Sequence, residues 1–117
     1  MLSKRDRSFL NLAIKIASSS TMRHQHGCVV VRSGRVLSIG INTSRNHPVQ
    51  TETHRIKIDC GLHAEVAAIK KCKNPSGATL YVARVNKSGE PRLSRPCQNC
   101  QEYIELSGIK QVIFTNS

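Results

Sequence analysis

The segment LHAEVAAIKKCKNPSGATLYVARV, Leu62 to Val85, decides the fold. Its first half is helical: Val66, Ile69 and Cys72 fall on one face, and Lys70, Lys71 and Lys73 crowd the end, where cations offset the negative pole of the helix dipole. Asn74-Pro75-Ser76-Gly77 stops it, because proline cannot continue the hydrogen-bond ladder. Ala78 to Val85 then alternates and carries Tyr and Val, side chains that suit a pleated, half-buried strand. A helix that turns directly into a strand predicts helices layered on a sheet.

Working outward, the same order repeats. Cys97 to Ser107 reads as a helix with Gly108 as its C-terminal stop, and Ile109 to Thr115 as a final strand. Asn86 to Arg95, with Lys87-Ser88-Gly89-Glu90-Pro91, reads as the loop between. Toward the N-terminus, Ser3 and Asp6 have the spacing of a capping box, and Phe9, Leu10, Ala13, Ile14, Ile16 and Ala17 give a wide apolar stripe at helical period. Ser18 to Thr21 end that helix. Cys28-Val29-Val30-Val31 and Val36-Leu37-Ser38-Ile39 flank Ser33-Gly34, which predicts a two-strand hairpin. Asn42 to Cys60 is polar and irregular, a long loop of the kind that carries function. These elements predict one α/β domain over residues 1–117, with a mixed sheet covered by helices.

The chain has 117 residues, a size that buries a core without disulfide staples. Eighteen Lys and Arg against seven Asp and Glu give a formal net charge of +11, which favours phosphate-bearing partners. Only two Tyr and two Phe are present, too few to suggest a base-stacking platform. Five cysteines, no secretory h-region and no long apolar run predict a cytoplasmic protein with reduced thiols and no membrane partner.

The chemistry lies in His63-Ala64-Glu65 and Pro96-Cys97-Gln98-Asn99-Cys100. Cys97 and Cys100, three apart at a helix start, can converge on one ion while the helix N-terminus favours their thiolates. His63 supplies a third ligand if its helix start packs beside theirs, leaving a fourth position open for a water whose pKa zinc would lower toward about 7. Glu65, on the same first turn as His63, is placed to move that water's proton. Two other readings of these residues stand beside this one. Cys97-x-x-Cys100 alone fits a thioredoxin-like redox pair, and Cys60, three before His63, is a candidate fourth ligand of a closed, purely structural zinc site.

The two blocks resemble the H-x-E and P-C-x-x-C signature of the zinc-dependent cytidine and deoxycytidylate deaminases, a superfamily that also holds deaminases of tRNA adenosine and of polynucleotide cytosine. The resemblance runs from the hairpin through Thr115 and is nearest to small deoxycytidylate-type deaminases. It implies a three-layer α/β/α sandwich with a mixed sheet and a catalytic core of about residues 23–115. It also implies Zn2+ held by His63, Cys97 and Cys100, and Glu65 as proton shuttle. Gly40-Ile41-Asn42 is similar to the family's strand end, which makes Asn42 a substrate-binding candidate, and by the same resemblance the N–H of Ala64 would donate to a pyrimidine carbonyl. Many members continue into another helix and strand after the point where this sequence reads Ser117; the resemblance therefore leaves substrate choice and oligomer contacts open, with a homo-oligomer among the expectations.

Arg95, before Pro96, and Arg92 are cations able to meet a phosphate near the pocket mouth. His24, His26, His47 and His54 read as surface or hydrogen-bonded histidines, and Cys28 and Cys72 as small core residues. The expected function is hydrolytic conversion of a cytosine-type base to uracil with release of ammonia, on a free (deoxy)cytidine nucleotide. Single-stranded DNA or RNA is the alternative substrate, and a non-catalytic, zinc-stabilised nucleic-acid-binding module the alternative class.

Overall fold

A computed structural model describes residues 2–22, 24–42 and 63–116. Helix α1 (Lys4–Ala17) is followed by strands β1 (Gln25–Arg32) and β2 (Arg35–Ile41), helix α2 (Ala64–Lys71), strands β3 (Thr79–Val85) and β4 (Pro91–Arg92), helix α3 (Gln98–Ser107) and strand β5 (Gln111–Phe114). The expected loop at Asn42 to Cys60, with His47, His54 and Cys60, falls almost wholly outside the described residues. No described helix is long and apolar enough to cross a membrane.

The start of α1 forms as its sequence predicts, with one difference. Asp6 N–H donates to Ser3 Oγ at 3.0 Å, so Ser3 is the cap. The Asp6 carboxylate does not reach back; it accepts a hydrogen bond from Tyr81 Oη at 2.6 Å and ties α1 to β3. The β1–β2 turn places both Ser33 (φ 54°) and Gly34 (φ 77°) in the left-handed region, as a two-residue type I′ hairpin requires.

The sheet runs β2-β1-β3, with β1 antiparallel to both neighbours. The other edge of β3 is shared: β5 pairs in parallel along Thr79 to Val82, and β4 pairs antiparallel at Arg84 and Val85. β3, α3 and β5 thus form a strand–helix–strand crossover. Strand alternation sorts the core into two layers. Val29, Val31, Tyr81, Ala83 and Val85 face α1, packing with Ala13 and Ala17. Cys28, Val30, Leu80 and Val82 face the opposite way, onto Ala64 and Ala68 of α2 and Ile104 of α3. The result is the expected three-layer α/β/α sandwich.

Two strand glycines set how closely the helices sit. A Cβ at Gly27 would lie 2.7 Å from Ala13 O and 2.8 Å from Ala17 Cα, so α1 rests on bare backbone there. On the other face, a Cβ at Gly40 would lie 2.6 Å from both Ala64 O and Ala68 N. α2 is therefore seated directly on β2, and its first turn is placed by that contact.

Candidate metal centre

His63 and Cys97 are the N-caps of α2 and α3, both with extended backbone (φ −70°, ψ 145° and φ −69°, ψ 168°). Neither side chain bonds its own helix, unlike an ordinary Ser or Asp cap. Both are directed to a shared point instead. His63 Nδ1 lies 3.1 Å from Cys100 Sγ and 3.9 Å from Cys97 Sγ. The three ligand atoms all fall within 4.8 Å of one another.

That spacing fits zinc. A tetrahedral ion with bonds of about 2.3 Å to sulfur and about 2.0 Å to nitrogen requires N···S separations of about 3.5 Å, which the two observed distances bracket. Two thiols and an imidazole are also zinc's preferred donors. Among the described residues the group has three members, the set typical of a site that keeps one position for a water or substrate. Cys60 lies outside the described residues.

Glu65 is on the first turn of α2, and only 5 % of its surface is exposed. Burial pushes its carboxyl above the usual carboxylate range, opposed by its own backbone hydrogen bond and by His63. A carboxyl held this way exchanges protons nearer neutrality, as general acid–base work demands. Ala64, fully buried, is the first residue of α2, where helix geometry gives the N–H no intrahelical acceptor.

Asn42 follows β2 at the same end of the sheet, and its amide is already engaged. Its Oδ1 accepts from Ser20 Oγ at 2.7 Å and from the His26 N–H at 2.9 Å, while its Nδ2 donates to His24 O at 2.6 Å. Asn42 thus clamps the start of β1 to the end of β2. Arg95 is exposed and lines a groove of about 540 Å3 between α3 and β5 with Gln101, Ile104, Val112 and Phe114.

Sequence reasoning missed Ser94 and Thr115, which are 2 % and 3 % exposed. Ser94 Oγ donates to Val82 O at 2.9 Å, accepts from the Thr115 N–H at 3.0 Å and lies 2.8 Å from Thr115 Oγ1. Thr115 Oγ1 also donates to Arg92 O at 2.5 Å. These hydroxyls rivet the segment leading to Cys97 onto β3 and β5. Two isolated hydroxyl residues carry no pattern in the sequence; only the strand pairing brings them together.

The family model described as the cytidine and deoxycytidylate deaminase zinc-binding region matches residues 3–116. The deoxycytidylate deaminase of Saccharomyces cerevisiae is 28% identical over 127 residues, a match that covers 96% of this chain and 38% of the yeast protein. This chain thus spans well under half the length of that relative. Among solved structures, the dCMP deaminase of cyanophage S-TIM5 in apo form superposes with a TM-score of 0.72 at 23% identity, covering 99% of this chain and 86% of its own. The cytidine deaminase of Mycobacterium tuberculosis gives 0.60 at 20% identity, covering 92% and 81%. Those two likenesses show the fold.

Proposed function

We propose that this chain, which belongs to the zinc-binding cytidine and deoxycytidylate deaminase family, hydrolyses the exocyclic amine of a cytosine-type base, giving uracil and ammonia, on a free (deoxy)cytidine nucleotide. The observation that carries the reading is Glu65: a buried carboxyl on the first turn of α2, two residues from His63, whose ring meets Cys97 and Cys100. A structural zinc module has no use for a carboxyl desolvated at its metal centre. The nucleotide substrate is supported by the yeast relative's name and by a second S-TIM5 structure, in complex with dCMP and dUMP.

When bound, zinc supplies Lewis-acid activation of water. In this reading His63, Cys97 and Cys100 would hold the metal. Glu65 accepts one proton from the water as its oxygen bonds to the amine-bearing ring carbon and passes that proton to the ring nitrogen; it then carries the second proton, from the added hydroxyl, to the amine as the C–N bond breaks, the C=O forms and ammonia departs. The N–H of Ala64 orients the pyrimidine carbonyl. Asn42 contributes by fixing the β1 and β2 ends, and meets substrate directly only by exchanging one of its present partners. Arg95, on the groove between α3 and β5, is a candidate phosphate contact.

The test is ammonia release from dCMP, CMP, deoxycytidine, single-stranded DNA and adenosine-containing RNA by wild type and Glu65→Gln. The expected result is turnover of the free nucleotides, with the variant retaining one zinc per chain and losing activity by at least about 100-fold. Full turnover by Glu65→Gln would refute the shuttle. Turnover of DNA or RNA alone would replace the free-nucleotide substrate with a polymer, which the +11 charge also suits.

A further inference from the structure

The sheet register builds a row of side chains that the reaction chemistry does not use. On the face that carries Cys28, Val30, Leu80 and Val82, alternation also places His26 and Arg84. His26 pairs with Arg84 across β1 and β3, and Arg84 pairs with Arg92 across β3 and β4. Gly27 pairs with Ile41, which sets Asn42 beside His26. His26, Arg84 and Arg92 therefore run across three strands, β1, β3 and β4, on the metal-centre face, with Asn42, just past β2, beside His26.

Strands gain nothing from this arrangement. Like charges directly opposite one another oppose sheet pairing. Arg84 has no carboxylate partner among the described residues; its Nη2 lies 3.0 Å from His24 Nδ1. Arg92 meets Glu90 at 3.4 Å, with 43% and 64% of the two side chains exposed, a contact that solvent weakens and a ligand can displace. The row continues the face of β1 and β3 on which Cys28, Val30 and Val82 pack against Ala64 and Ala68 of α2, the helix that His63 caps. Burial first, then the charges of Arg84, His63 and His24, push the His26 imidazole down to about 4.

We infer that Arg84 and Arg92, with His24 and His26 beside them, form the receptor for the 5′-phosphate of a free nucleotide, and that this row selects nucleotide over nucleoside. The inference rests on the deaminase reading for the position of the base; the phosphate receptor itself is tested by binding alone. Guanidinium groups suit the task because each offers paired donors to phosphate oxygens. The row's last member, Arg92, comes from β4, so the β3–β4 hairpin contributes to the choice of substrate class.

The experiment is calorimetry of zinc-loaded wild type, Arg84→Gln and Arg92→Gln with dUMP and with deoxyuridine, which needs no turnover. Wild type should bind dUMP the more tightly. Each variant should lower the dUMP-to-deoxyuridine affinity ratio by about tenfold to 100-fold, with Arg84→Lys restoring part of it. Equal binding of dUMP and deoxyuridine by wild type, or an unchanged ratio in both variants, overturns the inference. So does a salt-steep affinity for single-stranded oligonucleotide that depends on Arg84 while dUMP shows no such dependence. Failure of the deaminase reading has a different signature: phosphate-selective binding of dUMP with no turnover of any cytosine compound.

Discussion

Replacing Gly40 by alanine should loosen the metal centre from a position that touches no metal ligand. The new Cβ would lie 2.6 Å from Ala64 O, 2.6 Å from Ala68 N and 3.0 Å from Ala68 Cα, all backbone atoms of α2 that cannot rotate away. Ordinary contact distances are near 3.5 Å, so the first turns of α2 must retreat by about 0.7 to 1 Å. His63 caps that helix and must move with it, whereas Cys97 and Cys100 are held on α3. Metal–ligand distances tolerate only about 0.2 Å, so zinc affinity should fall by about tenfold to 100-fold. The overpacking itself should cost about 1–3 kcal/mol of stability. Zinc affinity is measured by competition with a chromogenic chelator, and stability by thermal melting. Gly27→Ala is the control: it forces a similar clash with Ala13 and Ala17 on the opposite face, and should lower the melting temperature with zinc affinity near wild type. A Gly40→Ala protein that binds zinc as wild type does would refute the argument that this glycine seats His63.

Three further outcomes are expected. Ser94→Ala should cost about 1 kcal/mol, because the Val82 carbonyl and the Thr115 N–H lose the hydroxyl but keep their mutual hydrogen bond at 3.1 Å; a urea midpoint matching wild type would show the rivet to be dispensable. The His26 imidazole, held near 4 in the fold against 6.5 when unfolded, leaves the unfolded chain with more bound protons between those limits. Its contribution to stability is thus complete above about pH 6.5 and is lost as pH falls toward 4, up to about 3 kcal/mol; in chelator-treated protein the drop in urea midpoint from pH 7 to pH 4.5 should shrink in His26→Phe, and an equal drop in both proteins would refute the assignment. Chelating the zinc should lower the melting temperature, since free metal at 100 times its dissociation constant stabilises the native state by about 2.7 kcal/mol; identical melts with and without chelator would show that the three side chains do not hold zinc.

Much of this molecule is readable from local chemistry. Ser3 as a cap, Ser33-Gly34 as a tight turn and Gly108 as a left-handed helix stop (φ 88°) depend on neighbours a few residues away, and the structure has each where its pattern predicts. His63, Cys97 and Cys100 were readable for a different reason: the donor types and the Cys-x-x-Cys spacing are imposed by the ion. What the sequence hid is what register decides. β4 is two residues long and has no period to detect, so Asn86 to Arg95 reads as plain loop. Arg84 and Arg92 look like scattered charges until strand pairing sets them side by side. Gly27 and Gly40 look like weak points in strands, and only the helices above them explain the missing side chains. Asn42 shows the same limit: its position at the strand end was readable, and its three partners at Ser20, His24 and His26 were not.

The rivet of Ser94 and Thr115 also bears on how this protein could change. The turn upstream of it is self-contained: Asn86 Oδ1 accepts from the N–H groups of Ser88 and Glu90, both at 2.9 Å, and Gly89 N–H donates to Asn86 O at 2.9 Å. Between that closed turn and Cys97 stand the buried hydroxyls, which take up the chain's path before it reaches the metal. Residues 86–90 can therefore lengthen or shorten at little entropic cost without dragging on Cys97. The hairpin is an exchangeable module joined to an insulated catalytic frame, so descent can revise what the protein accepts while leaving intact how it reacts.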